Sequence, residues 1–227
     1  MTWSSGIWEV MRQSDGVSWL ILLFLLIISV AAWSIFFYRI LYLRREKKQL
    51  MKFLSKIKSG ATLQELSAVA SASSSETVKS LLSQTSNLIA SQVAINRQKS
   101  IGEFITESQW NMIQDTMYQH IDHALQKWQF GLMYLSTTAA VAPLLGLFGT
   151  VWGLIQAFVG VSQLKTADMG AMAPGIAQAL ITTLVGLVVA IPALIMFNYL
   201  SSQVRSMDHL LTKLVHKAAV ATQGFVK

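Results

Sequence analysis

The stretch that decides the fold is PGIAQALITTLVG, which runs from Pro174 to Gly186. It lies in a charge-free interval between Asp168 and Arg205. That interval is long enough for a helix that crosses a bilayer, which needs about 20 apolar residues. A glutamine and two adjacent threonines interrupt the apolar run, and no charge accompanies them. The position of these polar groups therefore carries information beyond membrane insertion.

Two further charge-free intervals lie upstream. Asp15 and Arg39 bound one that contains VSWLILLFLLIISVAAWSIFFY, and Lys127 and Lys165 bound the other. The composition is 53% hydrophobic with a mean hydropathy of +0.48, as in a membrane protein. The first apolar run exceeds the about 7 to 15 residues of a secretory signal, and its basic cluster follows it, so we interpret it as a retained span. We predict three transmembrane helices, at 17–38, 131–162 and 174–200.

The basic residues predict the orientation of the spans. One cluster follows the first span, whereas the N-terminal segment has only Arg12 and the turn between the last two spans only Lys165. The positive-inside rule then places the N-terminus outside and the C-terminus inside. The clustered residues are Arg39, Arg44, Arg45, Lys47, Lys48, Lys52, Lys56 and Lys58. Most of the net charge of +7 is thus juxtamembrane, and no aromatic interleaving favours nucleic-acid binding.

Four segments are predicted outside the bilayer. We expect an amphipathic segment at 1–16 and a turn at 163–173 on the outer side, with a helical region at 39–130 and a C-terminal helix at 201–227 inside. SASSS, at 71–75, is predicted to be a loop within the inner region. The predicted fold is an all-α membrane protein whose three transmembrane helices continue into long cytoplasmic helical extensions.

The inner region offers one potential metal site. His120 and His123 lie close together, with Asp122 between them and Asp115 upstream, but no third and fourth ligand follows at a convincing spacing. We interpret these residues as a solvated helix face, and we expect no metal and no cofactor. The chain contains no cysteine, which excludes disulfides and thiolate chemistry.

Small residues form one stripe on each of the last two spans. At 100° per residue, the small residues of each span share an arc of about 120° or less, and Gln178 lies at the edge of the second arc. In the second span they are Ala139, Ala142, Pro143, Gly146, Gly149, Thr150, Gly153, Ala157 and Gly160. In the third span they are Gly175, Ala179, Thr182, Thr183, Gly186 and Ala190.

Two interpretations of these stripes remain open. Small residues allow close helix packing, as in the GxxxG spacing of Gly149 and Gly153. A packed helix bundle without any ion path would explain the stripes fully. The hydroxyls of Thr150, Thr182 and Thr183 lie near mid-span and, with the amide of Gln178, could instead line a wet passage. Ion passages usually enlist an ionisable side chain near the midplane, and the three spans have none. A titrating group would then have to come from another molecule.

Three prolines occur in the last two spans. Pro174 is predicted to lie in the first turn of its helix, where the missing N–H costs nothing. Pro143 and Pro192 fall inside spans and are expected to kink them.

Two long motifs carry a family resemblance. APLLGLFGTVWGLIQAF, at 142–158, and APGIAQALITTLVGLVVAIPA, at 173–193, resemble the paired signatures of the MotA/TolQ/ExbB proton channel family. The resemblance implies a non-enzymatic pentameric ring around the single-span helices of a dimeric partner, whose aspartate carries the proton. The pore threonines of the family correspond to Thr150 and Thr183. Many relatives have a glutamate at the position of Gln178, so the role of that carboxylate does not transfer.

Within the family, three spans and a short N-terminal segment favour the TolQ branch. That branch implies a TolR-like partner and a TolA-like third component in the bacterial inner membrane. The expected function is conversion of proton-motive force into work on the envelope during cell division and in outer-membrane maintenance. An ExbB-type subunit with ExbD-like and TonB-like partners, which energises outer-membrane import, is the alternative. A passive scaffold for partner helices remains open, and a self-contained transporter is disfavoured because the spans lack charge.

Overall fold

The structure is a computed structural model that describes residues 16–56, 75–98, 106–164 and 169–222. All regular secondary structure in these ranges is α-helical. The predicted amphipathic segment at 1–16 and the predicted SASSS loop lie outside them, except for Gly16 and Ser75. The helices are α1 Gly16–Lys56, α2 Glu76–Gln98, α3 Glu107–Gln129, α4 Leu132–Leu164 and α5 Met169–Thr222. The prediction of an all-α fold is confirmed for the described residues.

Three helices are long and apolar enough to cross a membrane. The candidate spans are Gly16–Ser55 in α1, Leu132–Ser162 in α4 and Met172–Lys217 in α5. The prediction of three spans is therefore confirmed by length and composition. Both α1 and α5 continue well past their apolar runs into polar sequence.

The start of α5 differs from the expected one. It begins at Met169, inside the predicted turn at 163–173, and α4 extends to Leu164. Pro174 therefore lies inside α5 and not in its first turn, so this prediction is wrong. The residues before Pro174 are mostly methionine and alanine, which are good helix formers, and they extend the helix upstream. Pro143 and Pro192 lie inside α4 and α5, as expected.

The chain divides into two compact units. The membrane unit comprises the described residues of Met1–Tyr38 and Gly131–Leu200. The polar unit comprises the described residues of Arg39–Phe130 and Ser201–Lys227.

Parts of α1, α4 and α5 pack together in the membrane unit. Tyr134 of α4 donates a hydrogen bond to the carbonyl of Ile28 in α1 at 3.4 Å. The rings of Phe36 and Tyr199 meet edge to face, with centroids 6.4 Å apart. Aliphatic residues from all three helices form the buried cluster between them: Ile21, Leu25, Ala142, Val189 and Ala190.

The polar unit has its own apolar core. Buried residues recur every three or four positions on each of its helices, as in a helical bundle. Trp128 is 1% exposed and is the largest fully buried side chain of the chain's described part. The contribution of α3 consists of Ile113, Met117, Ile121, Ala124 and Trp128.

Paired amides join α2 to α3. Asn96 is 1% exposed, and its Nδ2 donates to Gln109 Oε1 at 2.9 Å while Gln109 Nε2 donates back to Asn96 Oδ1 at 2.9 Å. Gln109 Nε2 also donates to Gln92 Oε1, and the backbone N–H of Thr106 donates to Gln109 Oε1. One side chain thus caps the start of α3 and fixes its register against α2, because buried amides need hydrogen-bond partners.

A glycine follows the end of α3. The N–H of Phe130 donates to the carbonyl of Gln126, and Gly131 has a φ of 91°. This conformation is in the region that favours glycine, so the break between α3 and α4 depends on that residue.

Candidate functional site

The small-residue stripes of α4 and α5 face each other in the membrane unit. A methyl group at Gly149 would lie 2.5 Å from Thr182 Oγ1, and one at Gly153 would lie 2.9 Å from the Cβ of Ala179. These distances are shorter than ordinary van der Waals contacts, so the two backbones are as close as glycine permits.

The contact extends along the helices with antiparallel register. A methyl group at Gly186 would lie 2.6 Å from the carbonyl oxygen of Ala142. Nearer the start of α5, one at Gly175 would lie 2.9 Å from the Cβ of Ala157. Gly160 is different, because a methyl group there would meet no atom of the described residues within 4 Å.

The two adjacent threonines of α5 have different surroundings. Thr182 is 0% exposed, and its hydroxyl donates to the carbonyl of Ala179 in its own helix at 2.7 Å. The same oxygen lies 3.4 Å from the carbonyl oxygen of Gly146 in α4. Thr182 has no accessible surface in the single chain, so it forms part of the packed contact between α4 and α5. The expected place of Thr182 in a lining stays a prediction.

Thr183 and Thr150 are both half-buried, and we call their two hydroxyls the hydroxyl pair. Thr183 Oγ1 donates to the carbonyl of Gly146 across the helix contact at 3.0 Å. It also lies 3.5 Å from Thr150 Oγ1, which donates to the carbonyl of Leu147 at 2.6 Å. The structure thus brings the two threonines together, one from each helix, at the edge of the glycine contact.

The hydroxyl pair can interact with either protonation state of an acid. When both hydroxyl protons bind backbone carbonyls, the oxygens still offer lone pairs to the O–H of a carboxylic acid or to water. When a hydroxyl rotates away from its carbonyl, it can donate to a carboxylate instead. The exchange costs one hydrogen bond to a backbone carbonyl, about 0.5–1.5 kcal/mol.

Gln178 lies one helical turn before Thr182 on α5 and is half-buried. Its amide can donate and accept hydrogen bonds but cannot exchange a proton near neutral pH. No Asp, Glu, Lys or Arg lies in the sequence of α4 or in α5 before Arg205. The described part of the site therefore contains hydroxyls, carbonyls and one amide, but no titrating group.

Sequence reasoning did not single out Trp152. It lies on α4 between Gly149 and Gly153, and its Nε1 is buried with no hydrogen-bond partner among the described residues. The small-residue pattern gives no signal for it, because Trp152 falls outside that arc. A buried N–H of this kind usually has a hydrogen-bond partner, and none is present among the described residues.

Outside the membrane unit, His120 is half-buried and His123 is exposed on α3. Across the described ranges, no group of three or more His, Asp or Glu side chains is arranged to hold a metal ion. The geometry of α4 and α5 is thus the better candidate for function.

The comparison with known proteins matches the region that contains α4 and α5. The family model described as MotA/TolQ/ExbB proton channel family matches residues 83–213, which include all of α4 and the packed part of α5. The chain is 30% identical over 201 residues to the biopolymer transport protein ExbB of Salmonella typhimurium, covering 88% of this chain and 80% of that protein. It is 31% identical over 199 residues to the Tol-Pal system protein TolQ of Pseudomonas aeruginosa, covering 88% of this chain and 84% of that one.

A second TolQ gives a similar result. The protein of Haemophilus influenzae is 28% identical over 215 residues, covering 92% of this chain and 90% of that protein. Identities to proteins named TolQ and ExbB are thus equally high and do not separate the two branches. From the family match and these coverages, the chain is a membrane protein that belongs to the MotA/TolQ/ExbB proton channel family.

Proposed function

We propose that this chain is the channel subunit of a proton-driven motor of the TolQ type, in which Thr150 and Thr183 line the proton path. The observation that carries the proposal is the hydroxyl pair at 3.5 Å on the half-buried edge of the α4–α5 contact. Membership of a proton channel family supports it.

The titrating acid is supplied by a partner. A charge near the bilayer midplane is costly and is kept where function needs it, and the spans of this chain carry none. A single-span partner helix with an aspartate at the depth of Thr150 and Thr183 completes the path. The protonated acid donates to a threonine oxygen, and the deprotonated acid accepts from a rotated hydroxyl.

The energies are sufficient for mechanical work. One elementary charge that crosses 100 mV releases about 2.3 kcal/mol. Interhelical hydrogen bonds in membranes average about 0.6 kcal/mol and reach about 1.7 kcal/mol. A few protons therefore release enough free energy to exchange the contacts of a partner helix and to change its position.

The assembly and topology are part of the proposal. Five copies form a ring around a dimeric TolR-like partner, and a TolA-like third component couples the ring to the outer membrane. The N-terminus lies in the periplasm and the C-terminus in the cytoplasm of a bacterial inner membrane. The basic cluster after the first span supports this orientation.

Proton flux through vesicles that hold the chain and its partner tests the path. Thr150→Val and Thr183→Val preserve side-chain shape and remove the hydroxyl, so we expect each to reduce flux at least about ten-fold, the effect of about 1.4 kcal/mol. Thr183→Ser, which retains the hydroxyl, should recover most of the flux.

Thr137→Val is the matched control. Thr137 is an exposed threonine of α4 that lies outside the small-residue stripe, so its variant should conduct like the wild type. Assembly is checked by co-purification of the single-span partner with each variant. Wild-type flux in both Thr150→Val and Thr183→Val, with assembly intact, would favour a passive scaffold.

An ExbB-type subunit is the alternative, because the match to the Salmonella protein is as high as the matches to TolQ proteins. Partner choice separates the two branches. Co-purification and functional rescue with a TolR-like partner but not with an ExbD-like partner supports the TolQ type, and the reverse result supports the ExbB type.

A further inference from the structure

A small polar cavity lies in the polar unit, apart from the hydroxyl pair of the membrane unit. Its volume is about 220 Å³, and α1, α2 and α3 supply its walls. Small-molecule sites usually have about 300–1,000 Å³, so this cavity suits a group of ionic size and not a nucleotide. The polar side chains in its walls include Tyr42 of α1, Thr77 and Gln84 of α2, and His120, His123 and Lys127 of α3.

Every polar side chain that lines the cavity can donate a hydrogen bond. His120, His123 and Lys127 follow each other at intervals of three and four residues, which places them on one face of α3. Thr77 and Gln84 of α2 add a hydroxyl and an amide. No Asp or Glu is among the described residues that line the cavity. Donors and one permanent positive charge, without a carboxylate, favour an anion with several acceptor oxygens.

The start of α2 adds to the positive potential. Thr77 is the second residue of this helix of 23 residues, and the N-terminal turn of a helix carries unsatisfied N–H groups and a partial positive charge. Ser75 Oγ accepts from the N–H of Val78 at 3.3 Å and donates to Glu46 at 2.8 Å. Glu46, an acidic residue of α1, is thus engaged by Ser75.

The C-terminal end of α3 would oppose an anion, but two of its last carbonyls have partners. Arg39 Nη1 donates to the carbonyl of Lys127 at 3.3 Å, and the N–H of Phe130 donates to the carbonyl of Gln126 at 3.1 Å. The Arg39 guanidinium also lies 5.4 Å from the centre of the Phe130 ring. A second cation is therefore held at this helix end, where it offsets the negative end of the helix dipole.

The sequence positions of the cavity residues indicate the source of the anion. Tyr42 follows Tyr38, the last residue of the first apolar run, by one helical turn. Lys127 lies little more than one turn before Leu132, where α4 begins. Residues just beyond the apolar part of a span lie at the depth of lipid headgroups, where basic groups meet anionic lipids. A phospholipid headgroup and a soluble phosphate share the chemistry that the cavity recognises.

We infer that this cavity, between α1, α2 and α3 of the polar unit, binds a phosphate group. The phosphate of an anionic phospholipid accepts from Lys127, His123 and His120, with Thr77 and Gln84 on the opposite wall.

Lipid titration of the purified full chain, followed by native mass spectrometry, tests the lipid source. The probes are phosphatidylglycerol and, for comparison, the zwitterionic phosphatidylcholine. We expect preferential retention of phosphatidylglycerol. Lys127→Ala and His123→Ala should each weaken it about five- to ten-fold, because each removes a hydrogen bond to a charged group. Both side chains are exposed, so the variants are expected to fold.

Lys213→Ala is the matched control, since it removes the same charge from an exposed site on α5 that does not line the cavity. Its lipid preference should equal that of the wild type. Inorganic phosphate is the probe for the soluble source, read out by hydrogen exchange of the first turns of α2 and the last turns of α3.

The outcomes separate the sources and test the inference. Preference for phosphatidylglycerol that Lys127→Ala and His123→Ala reduce, with Lys213→Ala unchanged, identifies a lipid headgroup. Protection by inorganic phosphate that the same two variants lose, without lipid preference, identifies a soluble phosphate. If neither probe binds, or if the cavity variants and Lys213→Ala behave alike, the inference is overturned.

Discussion

Replacing Gly186 by alanine tests how closely α4 and α5 approach. The added methyl group would lie 2.6 Å from the carbonyl oxygen of Ala142 and 3.1 Å from the Cα of Gly146. Carbon–oxygen contacts between packed backbones are normally about 3.3–3.6 Å, so the helices must separate locally by about 0.7 Å or more. Both contacted atoms belong to the backbone, so no side-chain rotation relieves the clash.

The expected loss of stability follows from three contributions. Overpacking costs about 1–3 kcal/mol. The same separation stretches the hydrogen bond from Thr183 to the Gly146 carbonyl, now 3.0 Å, and loses about 0.6 kcal/mol. Alanine offsets about 0.5–1 kcal/mol, because it is the better residue inside a helix. We therefore expect a net destabilisation of about 1–3 kcal/mol.

The assay compares thermal midpoints in one detergent at one scan rate, followed by tryptophan fluorescence. A chain of this size loses about 2–4 °C per kcal/mol, so Gly186→Ala should lower the midpoint by about 2–12 °C. Gly160→Ala is the control, because its methyl group meets none of the chain's described atoms within 4 Å and alanine favours the helix. Equal midpoints for the two variants would refute the close α4–α5 contact.

Four further substitutions test other parts of the molecule. Thr182→Val removes the hydroxyl of a side chain that is 0% exposed, so proton flux should stay near the wild-type value. A large loss of flux in an assembled complex would indicate that Thr182 also lines the proton path. Asn96→Ala removes the paired amide from Gln109, which keeps its bonds to Gln92 and Thr106, so the change should cost about 0.5–1.5 kcal/mol per lost hydrogen bond. It should speed hydrogen exchange in the facing turns of α2 and α3, and unchanged exchange argues against the amide pair. Gly131→Ala forces a side chain onto a φ of 91° and should cost about 1–3 kcal/mol by thermal midpoint, whereas an unchanged midpoint means that the break tolerates other residues. Trp128→Ala opens a cavity in the core of the polar unit and should cost about 3–5 kcal/mol, seen as loss of the monodisperse complex in gel filtration; a wild-type profile and midpoint would contradict its burial.

The spans were predictable because charge is costly in lipid. An interval such as that between Lys127 and Lys165 can hold one crossing helix, and α4 occupies it. The small-residue arcs of α4 and α5 also follow from helical period alone. In the polar unit, Ile113, Met117 and Ile121 recur at the helical period and are buried, whereas the neighbouring Met112 is 49% exposed.

The register between helices was not predictable from period. Thr182 and Thr183 share one arc, yet Thr182 is fully buried and Thr183 is half-buried. The hydroxyl oxygens of both lie near the carbonyl of Gly146 on the neighbouring helix, and the position of that helix decides which of the two is covered. The spacing of residues fixes the direction in which a side chain projects from its own helix. It does not fix which turn of the neighbouring helix that side chain contacts. The pairing of Asn96 with Gln109 also needs the relative position of two helices, which one sequence does not contain.

The most direct measurement is the rate at which proteoliposomes dissipate a pH gradient. Vesicles with this chain alone should retain the gradient, and vesicles with the chain and a single-span, aspartate-bearing partner should lose it. Removing the titrating group from the partner's span, by Asp→Asn, should abolish the loss. Rapid dissipation by the chain alone, as fast as by the full complex, would contradict the claim that the titrating acid comes from another molecule.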